Sequence, residues 1–375
     1  MRCIDEVPVG KLKGKRVLLR ADFNLPLGDD GEVVGVFRAR QGWKTVQYLS
    51  KAGAKVIVLS HLGQDPEQSM EPVARALKQF GAVVFIADIV GPAAKGAVAA
   101  MKEGEMLLLE NVRRDPRETA NDEGFARELA SLAEIYVNDS FAVDHREHAS
   151  LVGVPKLLPH YAGLLVRDEV REIDAAREPL APSLAILGGA KFESKAPLVT
   201  LLLEKYDHVF ITGALSNDVF KARGFEVGRS LISKELPGAD ILSDPRFLAP
   251  VDVTVEGTDG QARVKNPEHL DAGDRMVDIG PDTVKMLAPL IDQAQFILWS
   301  GPTGIYEQGY IQYTKQLAEL AAKSSAKKVL GGGDTIAAIE QTGVKMGESA
   351  FLSTGGGAML EYLLKGSLPA IDVLG

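Results

Sequence analysis

Short, almost wholly apolar runs recur along this chain, with helical periodicity between them, and that alternation restricts the fold more than any other feature. The first half carries RVLLRADF, AKVIVLSHL, AVVFIADIV, MLLLENV and EIYVNDSF, with a helical segment near WKTVQYLSKAG. Such alternation argues for βαβ units and a parallel sheet. A charged stretch, RDEVREIDAARE, then ends before Pro179 and Pro182. It reads as a helix leading out of the first lobe. The pattern restarts with SLAILGG, a helix around APLVTLLLEKYD, then HVFITG, PVDVTVEG, RMVDIG, QFILWSG, KKVLGGGD and AFLSTGGG. Within it, PVDVTVEGTDGQARVKN has two alternating runs around the turn Thr258-Asp259-Gly260, an antiparallel insertion.

A length of 375 residues exceeds what one hydrophobic core usually serves. The expected architecture is therefore α/β, with two Rossmann-like parallel-sheet domains joined by a hinge helix and a cleft between them. Residues 1–168 form the first domain, 169–180 the connector and 181–359 the second.

Where the charges sit matters more than their sum. The net charge of -9 removes the long-range attraction on which nucleic-acid binding depends. A few arginines in a cleft can still focus a positive field on a small anion. Cys3 is the single cysteine, so neither an intrachain disulfide nor a cysteine metal site can form. The charged first residues lack a signal peptide's apolar run, and no segment offers a bilayer span. A soluble cytoplasmic protein without membrane or nucleic-acid partners is expected.

Ligands of open α/β sheets bind beyond the carboxyl ends of the strands. In the first half those ends supply Asp22 and Asn24, Ser60 and His61, Glu110, Asn111 and Arg113, and Asn138 and Asp139 followed by His145 and Arg146. In the second half they supply glycine: Gly188 and Gly189, Gly213, Gly280, Gly301, Gly331 to Gly333, and Gly355 to Gly357. Glycine admits a phosphate or a flat base close to the main chain, and a following helix N-terminus adds positive charge. One lobe thus reads as an acid-and-phosphate site and the other as a nucleotide site. Each signal has an ordinary structural explanation when taken singly; their joint placement carries the reading. Neither G-x-x-x-x-G-K-[ST] nor G-x-G-x-x-G after a strand occurs, and G-x-S-x-G and H-E-x-x-H are also absent.

Taken in order, RADFNLP, SHLG, LLLENVR, YVNDSF with HREHAS, AILGGAK, GPTGIYE, GGGDT and STGGGA resemble the signature set of the phosphoglycerate kinase family, from about Arg16 onward. The resemblance implies two lobes, with a C-terminal tail of about 360–375 returning to the first, and phosphoryl transfer between 1,3-bisphosphoglycerate and MgADP giving 3-phosphoglycerate and ATP after hinge closure. It implies that Asp22, Phe23, Asn24, Arg38, His61, Leu62, Gly63, Arg113 and Arg146 bind the phosphorylated acid. Arg38, Lys191 and Gly356 would act on the phosphoryl group in flight. Gly189, Lys195, Gly213, Gly280, Pro302, Glu307, Gly332, Gly333, Asp334 and Thr335 would bind ADP or ATP, with Asp334 holding Mg2+. Lys191 and Lys195 are expected i to i+4 on one helix face. A monomer is expected.

The chain also departs from the family pattern. Gln64 stands where SHLG usually continues with arginine, which predicts weaker acid binding by about 1.5 to 3 kcal/mol. Asp144 stands where a small uncharged residue is usual, two positions from Arg146, and is expected to tie up that cation. Ser194, Thr212, Ala214 and Ser300 are further departures. They leave a second reading, a catalytically impaired relative that binds nucleotide or phosphorylated acid as a sensor. An unrelated Rossmann-like oxidoreductase would need the missing dinucleotide fingerprint.

Overall fold

A computed structural model describes Met1–Gly375 as two compact units. The first comprises Met1–Arg171 with Lys365–Gly375, and the second Glu172–Leu364. In the first unit the apolar runs become β1 (Arg16–Ala21), β2 (Lys55–Leu59), β3 (Val84–Ile86), β4 (Met106–Leu109), β5 (Ile135–Asp139) and β6 (His160–Ala162). They form one sheet in the order β3-β4-β2-β1-β5-β6. Every pairing is parallel, with Val17 facing Val56 on one side and Ile135 on the other. β1 is therefore central, and the connections leave it in both directions, so the carboxyl ends of β1, β2, β4 and β5 converge on one edge.

The core below that edge includes Val17, Leu19, Val46, Leu49, Val56, Val58 and Val137, all but excluded from solvent. The helix Phe37–Lys51 turns Val46 and Leu49 onto the sheet at a helical interval. The three-residue β6 had no visible period, and it pairs through Tyr136 with His160.

In the second unit β7 (Ser183–Leu187), β8 (His208–Ile211), β9 (Phe247–Leu248), β13 (Phe296–Ser300), β14 (Lys327–Gly331) and β15 (Ala350–Ser353) form a parallel sheet ordered β15-β14-β13-β7-β8-β9. β10 (Val253–Glu256) and β11 (Ala262–Lys265) form the expected hairpin. RMVDIG supplies β12 (Arg275–Ile279), which pairs antiparallel with β10 and so belongs to this small sheet.

The helix that leads out of the first unit spans Leu164–Arg177. Its start is fixed by Asp139, whose Oδ1 accepts from Leu165 N at 2.9 Å and Val166 N at 3.3 Å. Thr45 Oγ1 accepts from Leu164 N at 3.0 Å. These contacts satisfy amides that the first helical turn leaves unpaired.

Candidate active site

At the carboxyl edge of the first sheet the chain gathers cations over a few acids. Arg38 Nη1 donates to Asp22 Oδ2 at 3.1 Å, and the Asp22 side chain is nearly inaccessible. Asp22 thereby fixes a half-buried guanidinium that its helix alone would leave mobile. Asn24 Oδ1 accepts from Gly63 N at 2.8 Å, and Arg113 Nη1 donates to Gly63 O at 2.6 Å. The loop after β2 is thus clamped from β1 and from the segment after β4. Gly63 has φ +61°, and a Cβ there would lie 1.8 Å from Gln68 Oε1. Burial, then the charges of Arg20, Arg113, Arg38 and His148, hold the His61 ring well below its usual pKa. Arg113 in turn feels Arg20 and Arg146, and its Nε is buried without a partner. Arg38, His61, Arg113 and Arg146 therefore share one electrostatic neighbourhood, with Arg146 exposed.

Phe23 and Leu62 are core residues, 0% and 1% exposed. Their side chains face the interior, so only their main chains remain to serve a ligand. Phe23 N already donates to Ser60 Oγ at 2.9 Å and Leu62 N to Asn111 Oδ1 at 3.2 Å. Arg20, absent from the site residues expected above, is fully buried and donates toward His61. An arginine inside the apolar run RVLLRA was the signal available, since isolated charges are rarely buried without a partner.

The second unit encloses a cavity of about 660 Å³, lined by Gly189, Gly213, Pro302, Glu307 and Asp334 among others. Gly189 has φ +115° with open space where a Cβ would be. Gly188 and Gly301 have a different cause. A Cβ on Gly301 would come within 2.6 Å of the Gly188 backbone, so the ends of β7 and β13 touch main chain to main chain. Gly280 also has a structural cause, because a Cβ would meet Asp252 Cγ at 2.3 Å. Gly280, Lys195, Gly332, Gly333 and Thr335 are not among the residues lining the cavity.

Lys191 does not share a helix face with Lys195. It is the N-cap of the helix Phe192–Lys205, in the left-handed region at φ 66°, and it is exposed. A lysine there is strained by about 1 kcal/mol or more, which the surrounding bonds must offset. Ser194 Oγ donates to Lys191 O at 2.8 Å, and Phe192 N donates to Ser233 Oγ at 2.8 Å. Burial lowers the pKa of Lys195. The hydroxyl of Thr335 is committed within the chain, donating to Gly331 O at 2.8 Å and accepting from Gly301 N at 2.6 Å. Gly332 caps the helix Gly333–Thr342, and Gly356 at φ +47° precedes the helix Gly357–Lys365. Both helix starts leave amides free for an anion.

The sequence model described as "Phosphoglycerate kinase" matches residues 4–366. This chain belongs to the phosphoglycerate kinase family. The phosphoglycerate kinase of Aquifex aeolicus is 41% identical over 383 residues, covering 96% of this chain and 95% of that protein. That of Roseiflexus sp. (strain RS-1) is 39% identical over 382 residues, covering 96% of each. Among solved structures, phosphoglycerate kinase from Pyrococcus horikoshii OT3 matches with a TM-score of 0.88 at 28% identity, covering 100% of this chain and 98% of that one. The enzyme from Coxiella burnetii matches with a TM-score of 0.81 at 33% identity, covering 99% and 97%.

Asp144, Ser194 and Thr212, three departures from the phosphoglycerate kinase pattern, make side-chain hydrogen bonds within the chain, and nothing in the structure explains Gln64, Ala214 or Ser300. Asp144 does not tie up Arg146. It is fully buried, and its Oδ1 accepts from Asn138 Nδ2 at 2.9 Å, with the charge of Arg20 nearby. Thr212 is buried with its hydroxyl 3.5 Å from Thr303 O, Ala214 opens the helix Ala214–Ala222, and Ser300 O accepts from Gly188 N at 2.6 Å. Gln64 is exposed. The chain has no group of three or more His, Cys, Asp or Glu side chains able to enclose a metal. Asp278, Glu307 and Asp334 bring carboxylates to the cavity wall, and Asp334, beside the start of the helix Gly333–Thr342, suits Mg2+, which is usually held by one or two carboxylates together with nucleotide phosphates.

Proposed function

We propose that the chain catalyses reversible phosphoryl transfer between 1,3-bisphosphoglycerate and ADP, giving 3-phosphoglycerate and ATP. The observation that carries this reading is the convergence of Arg38, His61 and Arg113 on one sheet edge, with Asp22 holding Arg38, Gly63 holding Arg113 and Arg20 behind His61. Three fixed donor groups suit a small acid bearing a carboxylate and a phosphate. Asp22 and Asn24 orient its hydroxyl and carboxyl end, while His61, Arg113 and Arg146 hold its charged groups. The cavity of the second unit takes ADP or ATP, with Gly189, Gly213 and Pro302 against the adenosine and Glu307 at the ribose. Bound Mg2+, held by Asp334, neutralises charge on the nucleotide phosphates.

Phosphoryl transfer asks little covalent chemistry of a protein and depends on alignment and positive charge at the equatorial oxygens. Arg38, Lys191 and the amides at Gly333 and Gly356–Gly357 supply that charge from this chain. Residues 1–168 with the tail serve the acid and 181–359 the nucleotide. The proposal extends to a cytoplasmic monomer that binds neither nucleic acid nor membrane; no helix is long and apolar enough to cross a bilayer.

A coupled assay with 3-phosphoglycerate, ATP and Mg2+ tests the activity. Turnover is expected, and Arg38→Ala is expected to abolish it while the fold persists. Folded wild-type protein without detectable turnover would refute the reading. Asp144 bonds Asn138 and has no bond to Arg146, which weakens the case for an impaired relative that Gln64 and Asp144 suggested.

A further inference from the structure

Beneath the acid site lies a chain of hydrogen bonds that can run in one direction only. Arg20 is 0% exposed and His61 1%. Arg20 Nε donates to Ser150 Oγ at 3.0 Å, Nη1 to Ala21 O at 2.8 Å, and Nη2 approaches His61 Nδ1 at 3.3 Å. A guanidinium has donors and no acceptor, and it stays charged in proteins. His61 Nδ1 must therefore accept, which leaves the ring neutral with its hydrogen on Nε2. Ser150 Oγ accepts from Arg20, so its hydrogen goes the other way, to Glu118 Oε1 at 2.6 Å. Ser150 N donates to Glu118 Oε2 at 2.9 Å, and Tyr136 OH donates to Ser150 O at 2.8 Å. Glu118 and Ser150 are each 0% exposed, so the relay is closed to water.

We infer that Arg20, oriented by Ser150 and Glu118, is a positioning residue that locks His61 as a neutral Nε2–H donor toward the phosphorylated acid. The inference rests on the reading of His61 as a ligand of that acid. An imidazole that gained a proton would have to turn Nδ1–H against the Arg20 guanidinium, so the donor stays the same across neutral pH. The other cations facing His61 act in the same sense, Arg113 from the segment after β4 and Arg38 from the helix after β1, whereas burial and the nearby arginines lower His148 to about 4 and leave it neutral in this range. Asp22, Glu118 and Asp144 are the acids of the cluster: Arg38 pairs with Asp22, Ser150 bonds Glu118, and the charge of Arg20 favours both Glu118 and Asp144 as carboxylates. His61 thus binds an anion by a directed hydrogen bond rather than by charge.

Nitrogen-15 NMR of the imidazoles in the intact protein tests this without requiring turnover, with His61 assigned by loss of its signals in His61→Gln. Between about pH 5.5 and 8, around the ordinary histidine pKa, wild-type His61 is expected to keep an unprotonated Nδ1 and a protonated Nε2. A ring that titrates in that window, or one with hydrogen on Nδ1, overturns the inference. In Arg20→Lys, which retains a buried charge beside Glu118 but cannot bond Ser150 and His61 together, His61 is expected to titrate. The ratio of variant to wild-type KM for 3-phosphoglycerate should then rise several-fold from the acid to the alkaline end, while the kcat ratio stays flat. Arg20→Met is a second route to the same readout. His61 still locked in a folded Arg20 variant assigns the lock elsewhere and also refutes the proposal. Absent turnover with a locked ring would refute the proposed activity and leave the lock standing.

Discussion

Asp144 shows what one carboxyl does when it is buried with half its bonds made. Its Oδ1 is held by Asn138 and Ser140, whereas Oδ2 has no partner. Burial raises its pKa from 3.8 to about 7. The folded chain holds this proton more tightly than the unfolded chain, so stability falls as pH climbs between those two values and is level above them. Asp144→Asn keeps the acceptor and cannot ionise. Its melting temperature is expected to exceed that of the wild type at pH 8, with the gap narrower at pH 5; equal gaps at both pH values would contradict the assignment. Lys191 is the other residue whose placement makes a sharp expectation. It is held in a left-handed conformation at a helix start, and the proposed function has it serve charge that develops during transfer. Lys191→Ala should lower kcat about a hundredfold with little change in nucleotide KM. A proportional rise in KM at normal kcat would show ground-state binding instead.

At the scale of elements, the ends of helices give structural reasons for residues that motifs assign to ligands. Asp252 accepts from Asp282 N at 2.9 Å and Thr283 N at 2.7 Å at the start of the helix Pro281–Gln293, and Gly280 leaves room for that carboxylate. Gly280→Ala is expected to destabilise the chain by about 2 kcal/mol, a lost cap with added crowding, while nucleotide KM is unchanged. A raised KM with unaltered melting would return Gly280 to the nucleotide slot. The long apolar runs were legible because a buried parallel strand must be apolar on both faces, and β1, β2, β4, β5, β7, β13 and β14 all follow from it. β6 and β9 were not, since two or three residues carry no period. Of the acid site, the polar residues at strand ends were legible, as were the glycines of the second unit. Arg20 and Glu118 were hidden because their partners lie more than forty residues away in sequence or belong to one another only through Ser150. Spacing puts Lys191 on the helix; its positive φ delays the helix start to Phe192.

On the scale of the whole molecule, the first unit is closed by residues from the far end of the chain. Leu368 and Ala370 are 0% exposed, Ile371 8% and Leu374 4%. Ala370 packs with Val143, Leu151 and Val152, and its N–H donates to Asp144 O at 3.0 Å. The loop so covered carries Arg146, His148 and Ser150. Deleting 368–375 removes several buried apolar side chains, of the order of 5 kcal/mol. Lower melting and a raised KM for 3-phosphoglycerate are expected together; full stability after deletion would show that the tail is dispensable. During synthesis, residues 1–171 leave the ribosome long before Lys365–Gly375 exist, with the whole of Glu172–Leu364 made in between. A nascent first unit must therefore wait with the seat for Leu368 and Ala370 uncovered. The loop carrying Arg146, His148 and Ser150 gains that apolar wall only when the last residues of the chain arrive.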